Sequence, residues 1–297
     1  MSIYDTDPNR LKEYKADIFT RLFYLLPASV ILLFPLNLIS FLAGKCADSS
    51  FSRFLIPFFI TFFGVKVEDF TVGTEDKKSL NAFFMRPLKD ELKTFSESAT
   101  TLISPAEGYY YHFPYVPEDE FRVKSNLFTV KDFIGNDQIA EKFKNPYICV
   151  VYLTPKNYHR FHVPLTCKII AEPNLIKGEL LSVNFLAMQK FPNLYSINER
   201  VIYAFEDAFG NPFVMSAVGA TMVGSMGNRL KETKKGTMLQ KGIELGDFKF
   251  GGSTIVMVFE KENLNHDEKF KAANTFVNAC AIRYGETIGE INGKIKK

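Results

Sequence analysis

"FKFGGSTIVMVF", residues 248–259, decides how the C-terminal part of this chain is read. From Ser253 onward the residues are β-branched and apolar, a composition that predicts a strand through Glu260. The two glycines ahead of it reach positive φ without a Cβ clash. A Gly-Gly pair flanked by apolar residues is a common hairpin signal, so the plain reading is a tight turn between two strands. The other reading gives Ser253 a chemical task on its own backbone. Taken alone, the stretch favours the turn.

Similar runs lie upstream. "PYICVVYLT" (146–154), "VIYAFED" (201–207) and "FVMSAVGATMVGSM" (213–226) are rich in β-branched and aromatic residues and bounded by Gly, Pro, Asn or Asp. With few long helical patterns between them, they predict an α+β protein. Its residues 71–297 form a mainly β domain of packed sheets, preceded by a helical region over 1–70. "TEDKKSLNAFFMRPLKDEL" reads as a polar entry to an amphipathic helix that stops at Pro87. "NHDEKFKAANTFVNACA" is read as a helix despite several turn-type residues.

The first 21 residues are polar and carry Arg10, Lys12, Lys15 and Arg21. "LFYLLPASVILLFPLNLISFLAG" (22–44) then runs 23 residues without a charge, long enough to span a bilayer. Pro27 and Pro35 interrupt it, and each removes a helical hydrogen bond. "FLIPFFITFF" (54–63) is too short to span. Two short helical pieces in the membrane interface, anchored by Lys45, Arg53 and Lys66, therefore fit as well as one spanning helix. A buried pair of core helices is the alternative. No small-residue cleavage site clearly ends the apolar run, which disfavours a cleavable signal peptide.

A net charge of +3 and a pI near 8.5 argue against a nucleic-acid binder and permit attraction to anionic lipid. Cys46, Cys149, Cys167 and Cys280 form no CxxC pair, so neither a zinc site nor a disulfide framework is indicated.

Two further stretches carry candidate chemistry. In "YLTPKNYHRFHVP", Thr154 can cap, Pro155 suits a first helical position and Pro164 ends the element. The expected helical turn, Lys156 to Val163, puts His159 and His162 on one face. Such a pair could ligate a metal, act as a general base, or pack. Zinc needs a third ligand, and no motif nearby supplies one. In "LISPAEGYYYHF", Glu107 sits between Pro105 and Gly108 at a turn entering a strand, a place where an acidic residue is usually a solvated turn former.

Taken together and in order, these passages resemble the phosphatidylserine decarboxylase family over nearly the whole chain. "LNAFFMRPLKDEL" resembles the block ahead of the catalytic domain, and "SPAEG" the Ser-Pro-Ala-Asp-Gly segment. "YLTPKNYHRFHVP" is similar to the Tyr-His-Arg-x-His motif. "NLYSINERVIYAFEDAFGNPFVMSAVGATMVGSM" resembles the stretch with Asn-Glu-Arg and Val-Gly-Ala, "KGIELGDFKFGGST" the segment ending in Gly-Ser-Thr, and "IRYGETIGEI" the C-terminal strand.

The resemblance implies a proenzyme that cuts itself between Gly252 and Ser253, giving a β chain (1–252) and an α chain (253–297). Ser253 becomes a covalent pyruvoyl group, the cofactor, which forms a Schiff base with phosphatidylserine and yields phosphatidylethanolamine. No metal is implied. By the same likeness His162 is the base for self-cleavage, Glu107 the residue that orients it, and His159 a group near the substrate head group in proton transfer. A membrane-associated location follows, at the cytoplasmic face of the cell membrane if the source is bacterial, together with a homodimer and no nucleic-acid partner. The sequence departs from the family pattern in two places. Gly251 stands where Leu is more usual, and Glu107 stands where the family has Asp, which is expected to slow or pH-shift maturation. The rival readings are a non-processing lipid-binding relative and a metal-dependent hydrolase built on the two histidines.

Overall fold

The computed structural model describes residues 18–114, 129–191, 193–221, 226–251 and 253–292. Gly252, one side of the expected scissile bond, lies outside the described residues, as do Arg10, Lys12 and Lys15.

Prolines divide the N-terminal region into short helices. These are α1 (Ile18–Leu25), α2 (Ala28–Ile31) entered from Pro27, α3 (Leu36–Asp48) entered from Pro35, and α4 (Ile56–Phe63) with proline in its first turn. Gly64, in the left-handed region at φ 66°, stops α4. None of the helices among the described residues is long and apolar enough to cross a membrane. α5 (Leu80–Phe84) follows, capped by the Ser79 side chain on the Ala82 amide and finished before Pro87, as its sequence predicted.

The remainder is mainly β. β1 (Thr101–Ile103) and β2 (Gly108–Pro114) precede two short helices, α6 (Val130–Ile134) and α7 (Asp137–Ala140). β3 (Pro146–Leu153), β4 (Arg160–His162) and β5 (Cys167–Ile176) come next, then α8 (Phe185–Lys190) and α9 (Leu194–Ile197). The chain continues through β6 (Arg200–Asp207), β7 (Pro212–Gly219), β8 (Met226–Asn228), β9 (Met238–Leu239) and β10 (Glu244–Phe248). It ends with β11 (Ser253–Glu260), β12 (Leu264–His266), β13 (Cys280–Ile282) and β14 (Thr287–Ile291). An antiparallel eight-stranded sheet runs β13-β2-β3-β11-β7-β6-β5-β9, with two three-stranded sheets, β1-β14-β12 and β4-β10-β8.

β11 lies inside the large sheet, with Ser253 opposite Leu153 of β3 and Gly219 of β7. Its unbroken apolar run follows from burial on both faces. Ile255, Met257 and Phe259 enter one core, while Val256 and Val258 enter the other. A third apolar cluster joins Phe59 of α4 and Phe83 and Phe84 of α5 to Tyr158 and Tyr284, so the N-terminal helices pack directly on the histidine-bearing segment.

Three sequence expectations need correction. The Gly-Gly stretch is not a hairpin turn between paired strands, because β10 and β11 belong to different sheets. The segment from Lys156 to Val163 is not helical. The Asn157 side chain accepts from the Thr154 amide and hydroxyl, closing a turn, and the chain then enters β4, which pairs with β10. His159 and His162 therefore do not share a helix face; three residues apart in extended backbone, they diverge. Finally, "NHDEKFKAANTFVNACA" contains only a short 3-10 turn, Glu268–Phe270, before β13.

Candidate active site

Ser253 opens β11 fully buried, and its Oγ has no hydrogen-bond partner. Thr254 Oγ1 beside it is likewise buried without a partner. Unpaired buried hydroxyls are costly, which sets the start of β11 apart from an ordinary packed strand. Just upstream, Gly251 has φ 146°, a conformation that side chains rarely adopt.

The approach to this point is gripped by the N-terminal helices. The Phe250 amide donates to Asn81 Oδ1 at 2.7 Å, and Asn81 Nδ2 donates to Asp48 Oδ1 at 3.0 Å. Lys249 forms an ion pair with Asp48 at 3.2 Å. α3 and α5 thus fix the two residues preceding Gly251.

Because Ser253 pairs with Leu153, the Thr154–Asn157 turn follows directly from the strand beside it. After the turn, His159 is fully buried, with Phe84 packed on its ring at a centroid separation of 3.8 Å. Its Nδ1 hydrogen donates to the Asn157 carbonyl at 2.8 Å, which leaves Nε2 as a bare lone pair with no partner. Burial, with the Arg86 charge nearby, holds the ring well below the usual imidazole range, so it is neutral. His162 is also neutral, lowered to about 4 mainly by burial. Both its nitrogens are engaged: Nδ1 donates to the Gly242 carbonyl and Nε2 accepts from the Tyr158 hydroxyl, each at 2.9 Å.

Glu107 does not bond to either histidine. Its Oε1 accepts from Asn157 Nδ2 at 2.6 Å. Glu107 is therefore not a solvated turn former, and its hold on the histidines runs through the turn: Asn157 supplies the carbonyl that orients His159, and its neighbour Tyr158 supplies the hydroxyl on His162. Burial pushes the Glu107 carboxyl up, opposed by the Asn157 hydrogen bond and the Arg86 charge. Gly108 follows because a Cβ there would collide with the Tyr152 carbonyl.

Arg86 carries no motif that singles it out. Its guanidinium is fully buried over the Phe70 ring, 4.1 Å from the centroid. Nη2 donates to the carbonyls of Lys156 and Asn157 at 2.8 and 3.2 Å, and Nη1 to those of Phe83 and Phe84. It ties α5 to the histidine-bearing turn. In "FFMRP" it reads as an ordinary surface arginine at a helix end. Asn157, Tyr158, Asn81 and Asp48 were missed for the same reason, since only tertiary contacts reveal them. No group of three or more His, Cys, Asp or Glu side chains placed to hold a metal occurs among the described residues.

Residues 80–290 match the phosphatidylserine decarboxylase family model. A phosphatidylserine decarboxylase proenzyme of Acinetobacter baylyi is 33% identical, over 87% of this chain and 93% of that protein. The proenzyme of the same name from Clostridium botulinum is 32% identical, over 83% of this chain and 82% of that protein. Among solved structures, glucose permease IIA from Mycoplasma capricolum superposes with a TM-score of 0.29 at 9% identity, covering 64% of this chain and 94% of that one, too slight a likeness to carry an argument. With a family match across most of its length, and with the Gly-Ser-Thr serine, the paired histidines and the Glu107 turn assembled around β11, this chain belongs to the phosphatidylserine decarboxylase family.

Proposed function

We propose that this decarboxylase converts phosphatidylserine to phosphatidylethanolamine after cutting its own chain between Gly252 and Ser253. The observation that carries the reading is the buried Ser253 Oγ without a partner, two residues after the positive-φ Gly251 and at the end of β11 that pairs with the strand leading into the histidine-bearing turn. Ser253 Oγ adds to the Gly252 carbonyl, and the peptide becomes an ester with a free amine on residue 253. Loss of the Cα proton then expels the Gly252 carboxylate and leaves a dehydroalanine end. One water enters and one ammonia leaves to give the terminal ketone, so the step needs no external oxidant. A serine hydroxyl is a weak nucleophile and requires a base. The resemblance gives that task to His162, whose neutral Nε2 takes the proton once the Tyr158 hydroxyl yields it.

The polar residues around position 253 fit a pyruvoyl group. When present, that group supplies a ketone able to condense with a primary amine and take up the electron pair released with carbon dioxide. His159 Nε2 is an unpartnered group available to bind and to move a proton there. A second reading is favoured by the bare His159 Nε2, which makes His159 itself the base for scission.

The exposed apolar residues of α3 and α4, including Phe41, Phe58 and Phe62, with Leu33 in the turn after α2, would rest in the membrane interface. Lys45 over Phe41 and Arg53 over Phe54 add cations suited to anionic lipid. On this reading residues 1–70 form the membrane-associating region and 71–297 the catalytic domain. The resemblance adds a homodimer, which sedimentation of the purified protein tests.

Mass spectrometry tests the scission. The natural chain yields a 45-residue fragment with a blocked, ketone-bearing start, whereas Ser253→Ala stays whole and releases no carbon dioxide. His162→Ala is expected to slow scission by roughly 100-fold or more, and His159→Ala to be cut yet fail to decarboxylate. If His159→Ala is the uncut variant, the second reading holds. An uncut natural chain with an ordinary serine after prolonged incubation would leave the non-processing relative.

A further inference from the structure

Arg86 does more than its place at a helix end requires. The last carbonyls of α5 have no partner within the helix, and a basic side chain just beyond can donate to them. Arg86 does so through Nη1, to Phe83 at 3.3 Å and to Phe84 at 3.4 Å. The same guanidinium also reaches a segment 70 positions further on, where Nη2 donates to the carbonyls of Lys156 and Asn157. Its plane thus joins carbonyls from two segments, a fork that a lysine ammonium does not reproduce. Burial lowers the guanidinium to about 10, so it stays charged at neutral pH.

Two of those carbonyls belong to the residues that hold His159. The Asn157 carbonyl accepts from Arg86 Nη2 at 3.2 Å and from His159 Nδ1 at 2.8 Å, which uses both of its lone pairs. Phe84 lends its carbonyl to Arg86 and its ring to the face of His159, with ring centroids 3.8 Å apart. One guanidinium therefore anchors both the edge contact and the face contact of the imidazole. The Asn157 side chain is held separately, by Glu107. With the carbonyl fixed, the ring hydrogen has to sit on Nδ1, because a bare Nδ1 would set lone pair against lone pair. Nε2 is then left open, as observed. After burial, the Arg86 charge also opposes a second proton on the ring.

We propose that Arg86 is a positioning residue that holds His159 as the Nδ1–H tautomer with its Nε2 lone pair open. The inference rests on the decarboxylase reading above and names what keeps its proton-transfer histidine ready. Arg86 acts through Asn157 and Phe84, not on the substrate.

The test uses purified full-length protein with its four histidines isotopically labelled at the ring nitrogens, and His159→Gln assigns the His159 signal. Nitrogen NMR at neutral pH should show His159 uncharged, with its hydrogen on Nδ1 alone. In Arg86→Met the Nε2–H form should appear beside it, while the signals of the stacked His112 and His266 stay unchanged and report an intact fold. The step that His159→Ala stops, decarboxylation on the first reading and scission on the second, should slow by roughly 10- to 100-fold. Where that step is decarboxylation, the loss falls on kcat, with KM within about twofold. Arg86→Lys keeps the charge but loses the fork, and should show the same mixed tautomers. Should Arg86→Met fail to fold, Arg86→Lys decides. A natural protein with the hydrogen on Nε2, or a folded Arg86 variant that keeps the single Nδ1–H form, would overturn the positioning role. A natural chain that neither cuts itself nor releases carbon dioxide would instead overturn the decarboxylase reading, and the spectra would still judge Arg86.

Discussion

At the scale of single residues, the site depends on which lone pairs are left open. His159 and His162 are both neutral, yet one exposes Nε2 to the site and the other has it covered by Tyr158. Glu107 touches neither ring and bonds instead to Asn157, whose carbonyl accepts from His159. The longer side chain of Glu was expected to impair maturation relative to Asp. The structure supplies a reason for the opposite outcome, since the Glu107 carboxylate already reaches Asn157 at 2.6 Å. Glu107→Asp withdraws it by about one methylene, and a misplacement of this kind costs up to roughly 100-fold in rate. We therefore expect Glu107→Asp to be cut more slowly than the natural chain in a pulse-chase gel assay. Equal or faster cutting would show that the Asn157 contact is not what positions the turn.

At the scale of elements, the N-terminal helices pack on the candidate site as well as forming a candidate membrane anchor. Asn81 of α5 and Asp48 of α3 hold the segment before the proposed cleavage point, and Arg86 holds the turn carrying the histidines. Asn81→Ala leaves the buried Phe250 amide without its acceptor. It is expected to cost about 1–2 kcal/mol in denaturant unfolding and to slow scission by roughly tenfold. Lys249→Met removes only a partly exposed ion pair, worth about 1 kcal/mol or less, and should change the scission rate by less than about twofold. A larger effect from Lys249 than from Asn81 would show that charge, rather than backbone registration, sets the geometry. The strands themselves were legible in the sequence: the predicted runs at 146–154, 201–207 and 253–260 match β3, β6 and β11 closely. The histidine turn was not. Thr154 and Pro155 are good helix-start residues, but the Asn157 side chain outcompeted the helix for the Thr154 amide, and β10 offered a strand partner.

At the scale of the whole molecule, all four histidines are buried enough to resist protonation. Besides the site pair, His112 and His266 stack at 4.0 Å and bind the Tyr147 and Tyr110 hydroxyls. Burial lowers both, and the His112 charge assists in lowering His266 to about 3. Each folded-state value lies below the ordinary unfolded value of about 6.5. The unfolded chain therefore binds more protons below that pH. Stability from these groups is complete above about pH 6.5 and is lost as pH falls toward 4 and then 3, at up to about 1.4 kcal/mol per pH unit for each histidine. Glu107, whose carboxyl is raised, works in the opposite sense but involves a single proton. Urea midpoints should fall steadily between pH 7 and pH 5, and a flat profile would contradict the buried, neutral state of the histidines.

The sequence by itself determined the mainly β architecture, the proline-broken apolar start and the family membership, because these depend on local composition, periodicity and motif. The tertiary structure decided that β10 and β11 lie in separate sheets, that Glu107 bonds to Asn157, and that Arg86 and Asn81 reach the candidate site from the N-terminal helices. Those contacts join residues roughly 50 to 170 positions apart. No local pattern encodes them, because each depends on which surfaces the packed sheets and helices bring together.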